Sequence, residues 1–119
     1  MRKILTCILL LNSLICCSAE TMKLHVDRHS QQFNVILPAN PTTGYAWTIK
    51  NYDKSLFKLT KSQYIAPQTK LIGAGGEMRF SFSWLKGVKH PDATTMLFRY
   101  ARGWEHGGGQ LKQVEITFQ

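Results

Sequence analysis

The sequence predicts an all-β sandwich, and three observations carry that expectation. Apolar side chains recur at every second position in short runs, the period of a strand with one buried face. Gly, Pro, Asn and Asp separate those runs, which is the chemistry of turns. Beyond the first 19 residues, no long segment repeats its apolar residues at the helical period.

Taken in order, Leu24 and Val26 alternate with Lys23 and His25, and Phe33, Val35 and Leu37 share one face of the next run. Tyr45, Trp47 and Ile49 continue the pattern. Phe57 to Ile65 alternates more weakly. Met78, Phe80, Phe82 and Trp84 alternate with Arg79, Ser81 and Ser83, the clearest strand of the chain. Met96, Phe98 and Tyr100 follow, and Val114, Ile116 and Phe118 close the sequence. Seven short strands over about 100 residues, with turns between them, predict an immunoglobulin-like sandwich. Phe33, Trp47, Phe80, Phe82, Phe98 and Phe118 are its expected core.

The first 19 residues have a different composition. Arg2 and Lys3 precede an apolar stretch from Ile4 to Cys17, and the small residues Ser18 and Ala19 come before polar sequence. This is the pattern of a signal peptide, too short to favour a membrane span. The expected division is residues 1–19 as signal peptide and 20–119 as one exported domain, secreted or periplasmic. A lipid anchor at Cys16 or Cys17 is the alternative, and only that form would touch a membrane. Cys7, Cys16 and Cys17 all lie in the leader, so the mature chain holds no disulfide, cysteine nucleophile or thiolate metal site. Losing Arg2 and Lys3 lowers the formal charge from +8 to +6. The lysines never form a run, which fits a solubilising surface better than nucleic-acid binding.

Three connections stand out. Asn40-Pro41-Thr42-Thr43-Gly44-Tyr45 lies between two strands. Pro41 fixes its own φ and biases Asn40 toward extended backbone. Gly44 permits angles that other residues resist, and Asn40, Thr42 and Thr43 can bond back to nearby backbone. The loop is rigid and polar but holds no acid, base or thiol. Gly73-Ala74-Gly75-Gly76 precedes the strongest strand. Its alternatives are a bulged hairpin or a ribbon that lays bare backbone against a partner. Arg102-Gly103-Trp104 places a tryptophan among glycines and charges, where it either folds onto the sheet edge or serves as a binding hot spot. In an immunoglobulin-like sandwich the loops after the second, fourth and sixth strands cluster at one end, and these three fall there.

The sequence resembles the chagasin family of inhibitors of papain-like cysteine peptidases. Asn40–Tyr45 matches that family's NPTTGY/F loop at every position, Gly73–Gly76 its GxGG loop, and Arg102-Gly103-Trp104 its RPW motif with Gly103 in place of proline. The match spans essentially the whole mature chain in order. It implies an inhibitor, monomeric and without cofactor, that occludes a peptidase cleft reversibly. Thr42 and Thr43 would sit near the catalytic cysteine and histidine. Gly73–Gly76 would lie along the non-primed side, and Arg102 and Trp104 on the primed side. The target would be an enzyme of cathepsin L type, the organism's own or a host's.

Two rivals remain at this point. An enzyme finds little support: His25, His29, His90 and His106 lack metal-ligand spacing, and the few carboxylates form no acid/base pair. Each histidine is expected to be a solvated surface residue. An adhesion or glycan-binding module on the same fold would use Tyr45 and Trp104 as a stacking platform.

Overall fold

In the computed structural model, residues 20–69, 74–104 and 107–119 are described. The expected leader, Lys70, Gly73 and His106 lie outside the described residues. Seven strands form in the order expected: β1 (Glu20–Val26), β2 (Gln32–Ala39), β3 (Tyr45–Asn51), β4 (Phe57–Ile65), β5 (Gly76–Trp84), β6 (Ala93–Arg102) and β7 (Gln110–Phe118). A 3-10 turn, Pro41–Thr43, joins β2 to β3.

The strands make two sheets, β1-β7-β6-β3 and β2-β5-β4. Strand β1 runs parallel to β7, and the other pairs are antiparallel. Alternation decides which side chains face inward. Phe33, Val35 and Leu37 of β2 and Phe80 and Phe82 of β5 meet Met96 and Phe98 of β6 and Val114, Ile116 and Phe118 of β7 in one apolar core. Rings bridge the sheets: Phe80 and Phe98 have centroids 5.2 Å apart, and Phe33 and Phe118 5.9 Å. Aromatic pairs at such spacings add about 0.5–1.5 kcal/mol each beyond their buried area. Among the described residues, no polar or charged residue is fully buried.

Five of the six expected core aromatics are buried; Trp47 is not. It is half-buried at the mouth of the sandwich, and its Nε1 donates to the Pro38 carbonyl at 2.8 Å. A covered indole N–H usually finds such a partner. Phe57, in the weakly alternating run, is fully buried instead. The alternation weakens there because a bulge between Leu59 and Lys61 shifts the β4–β5 register, and with it the face each later residue occupies. His90 also departs from expectation. It is half-buried and lies flat on the Trp84 ring at 3.6 Å.

The chain reverses at every connection from β2 onward, so β2, β4 and β6 all end at the same pole. The other pole is tied independently: Leu85 N donates to Leu56 O, Trp84 N to Gln31 O, and Arg28 pairs with Asp92. The first pole carries the three unusual loops.

Core and outer face should respond differently to substitution. Phe98→Ala should cost roughly 3–5 kcal/mol of unfolding free energy, the range for emptying a buried aromatic site. Ile36→Ser, on the outer face of β2 and 43% exposed, should change stability by no more than about 0.5 kcal/mol. Urea midpoints of the two variants check both.

Candidate functional site

The first loop is built around Asn40. Its backbone is extended and its Oδ1 accepts from Thr42 N at 3.3 Å and Thr42 Oγ1 at 2.6 Å. That side chain caps the 3-10 turn as an N-cap residue caps a helix, and Pro41 at the first position needs no donor there. The Asn40 carbonyl accepts from Thr43 N at 3.1 Å and Thr43 Oγ1 at 2.7 Å. Gly44 N donates to Pro41 O at 3.0 Å and closes the turn with φ of 85°, a left-handed conformation that suits glycine. Tyr45 N donates back to Thr43 Oγ1. Both threonine hydroxyls are thus committed within the loop, while the threonines themselves remain exposed.

The second loop meets the base of the first. A Cβ on Gly75 would lie 3.2 Å from Ala39 O and 3.6 Å from Asn40 Cβ. Gly76 pairs with Ala39 across β2 and β5. A Cβ there would come within 2.1 Å of Ile65 O and 2.7 Å of Tyr64 Oη. Close packing therefore requires Gly76, whatever else the segment does. Ala74 is half-buried, and Gly73 is outside the described residues.

The third loop leans on the far end of the first. Arg102 ends β6 directly opposite Tyr45, the first residue of β3. Its guanidinium carbon lies 4.6 Å from the Tyr45 ring centroid and 5.7 Å from that of Trp104. Trp104 is 68% exposed, yet its edge covers the turn: a Cβ on Gly44 would sit 3.4 Å from Trp104 Cη2. Gly103 is exposed, has open space around it and keeps φ outside the left-handed region. The outgoing arm is fixed at its base. Arg99 donates from Nε and Nη2 to Gly108 O at 2.9 and 2.6 Å, and Gly109, with φ of 101°, passes too close to Ala101 for any side chain.

Two residues that the motifs did not single out support this pole. The Tyr100 ring stacks between Tyr45 at 5.2 Å and Trp47 at 4.6 Å. Its hydroxyl also lies 3.4 Å from Asn40 N, which donates to it. Trp47 anchors Pro38 on the same arm. Their signal was present in the sequence. Tyr100 precedes Arg102 by two and Trp47 follows Tyr45 by two, so each shares a face with a loop residue. Beneath the loops an open cleft of about 490 Å³ is lined by Pro38, Asn40, Trp47, Gly75, Tyr100 and Lys112, among others.

Among the described residues, no group of His, Cys, Asp and Glu is placed to hold a metal. No helix among them is long and apolar enough to cross a membrane.

Comparison with known proteins gives concordant matches. The family model for the chagasin family peptidase inhibitor I42 matches residues 28–118. Chagasin of Trypanosoma cruzi is 36% identical over an alignment of 73 residues, and the match covers 57% of this chain and 62% of chagasin. The chain thus spans less than two thirds of that relative's length. Among solved structures, the cysteine protease inhibitor EhICP2 of Entamoeba histolytica superposes with a TM-score of 0.61 at 22% identity, covering 84% of this chain and 88% of that one. Amebosin superposes with a TM-score of 0.51 at 20% identity, covering 83% and 88%. At these identities the structures establish a shared fold.

Two glycines of the site should answer oppositely to substitution. Gly44→Ala forces a side chain into the left-handed region and should cost roughly 1–2 kcal/mol, before any crowding of Trp104. Gly103→Pro meets open space and should leave stability unchanged or raise it by about 0.4–1 kcal/mol. Thermal unfolding of the pair against the parent protein decides.

Proposed function

The chain belongs to the chagasin family of peptidase inhibitors, and on that footing we propose that it is a reversible inhibitor of papain-like cysteine peptidases. It would act as one exported, monomeric, immunoglobulin-like domain, residues 20–119, released from the leader at residues 1–19. A form lipid-anchored at Cys16 or Cys17 would present the same pole. The enzyme inhibited is of the cathepsin L type, from the same organism or a host.

One observation carries the proposal: Gly75 and Trp104 close on opposite ends of the Asn40–Tyr45 loop. Three connections become a single wedge whose central prong is held from both sides. The central prong is ordered before it meets a partner, so little further ordering of it opposes binding.

The internal bonds of the prong also explain why an inhibitor of this kind would escape cleavage. Acyl transfer requires a substrate carbonyl oxygen delivered into an oxyanion hole. The Asn40 carbonyl already accepts two bonds from Thr43, and the Pro41 carbonyl accepts one from Gly44. Their peptides are coiled into a 3-10 turn rather than extended for attack. In the proposed complex Thr42 and Thr43 block the catalytic groove, Gly73–Gly76 follows the non-primed side, and Trp104 meets the primed side. The glycan-platform alternative loses its premise, because the Arg102 guanidinium already stacks on the Tyr45 ring that a sugar would need.

Titrating papain and cathepsin L with residues 20–119 tests the proposal. Stoichiometric, reversible loss of activity is expected. Trp104→Ala should weaken inhibition by roughly 30-fold or more, the scale of a hot-spot aromatic, and Thr42→Ala/Thr43→Ala should also weaken it. Gly103→Pro should inhibit as well as the parent or better. Full activity of both enzymes at micromolar protein would overturn the proposal.

A further inference from the structure

The motif resemblance would set Arg102 against the peptidase beside Trp104, but the structure points its guanidinium elsewhere. Arg102 is half-buried, and its side chain rises between two rings of its own protein. Tyr45, on one side, opens β3 and is stacked in turn on Tyr100. Trp104, on the other, is largely exposed. Two residues later in the chain than Arg102, Trp104 is separated from it only by Gly103, which offers no side chain to restrain either neighbour. A large apolar ring at a loop tip would ordinarily sample many orientations. Here it has a seat: Gly44, which the Arg102 aliphatic stem also borders, lies beneath its edge, and the Arg102 guanidinium lies beside it.

We propose that Arg102 is a positioning residue for Trp104, a planar cationic spacer that transmits the fixed orientation of the Tyr45–Tyr100 stack to the exposed indole. Arginine suits the task because its guanidinium is flat, always charged and able to stack on rings, whereas a lysine ammonium is a compact point charge. Arg102 then contributes to binding through Trp104, by holding it in the orientation that docks. This rests on the inhibitor function proposed above, but part of its test does not.

The experiment is a double-mutant cycle on papain inhibition with Arg102→Ala, Trp104→Ala and the double variant. Arg102→Ala should weaken inhibition by about tenfold when Trp104 is present and by less than about twofold when Trp104 is already alanine, a coupling typical of residues in contact. Equal losses in both backgrounds would mean that Arg102 binds the peptidase independently and would overturn the inference. Arg102→Lys should lose most of the effect, and wild-type inhibition with lysine would overturn the planar-spacer account. In the free protein, 15N relaxation at Trp104 Nε1 should show greater picosecond–nanosecond mobility in Arg102→Ala than in the parent, and unchanged mobility would overturn the inference whether or not papain is inhibited. If the parent protein itself leaves papain active, the inhibitor function fails and the relaxation measurement alone judges the role of Arg102.

Discussion

The register between β3 and β6 governs the organisation of the candidate site. It sets Tyr45 opposite Arg102 and Trp47 opposite Tyr100, so all four side chains lie on one face at the mouth of the sandwich. Because side chains alternate, a slip of one residue would turn the set outward and break every contact between the first and third loops. The aromatic layers below hold the register. Phe98 of β6 is locked against Phe80 of the other sheet, and the same strand continues through Tyr100 to Arg102. Core packing and loop geometry are therefore two ends of one strand's alternation.

Much of this was legible in the sequence. All seven strands, and the inward faces of β2, β5, β6 and β7, follow from period-two patterning, and the three loops were expected at a single pole because an immunoglobulin-like sandwich clusters those connections at one end. The elements that escaped share a physical cause. Periodicity names the face of a residue but not its depth along the strand, so Trp47 was expected in the core although it stands at the rim. A bulge changes the parity of a strand midway, which made β4 the faintest signal although Phe57 is among the most buried residues. His90 was expected to be solvated, yet the connection from β5 to β6 returns over Trp84 and stacks it there. No local pattern reports a contact made by a chain folding back.

The glycines illustrate a related ambiguity. In the sequence they read alternately as flexible turns and as bare backbone offered to a partner. In the fold they separate by cause. Gly44 and Gly109 adopt backbone angles that residues with side chains rarely do, Gly76 lies where no Cβ fits, and Gly103 meets neither constraint. Only geometry distinguishes a glycine that must be there from one that merely is.

The internal bonding of Thr42 and Thr43 has a consequence for the kind of surface that complements the first loop. Each hydroxyl spends its one proton on Asn40, so what remains for a partner is lone pairs and methyl groups. The two threonine hydroxyls therefore meet a partner as acceptors and not as donors. They complement a groove floor that presents N–H groups, whether an imidazolium or backbone amides, and mismatch one lined with carboxylates, whose oxygens would lose water and gain nothing in return. By fixing the direction of two hydrogen atoms, Asn40 gives an uncharged loop an electrostatic polarity.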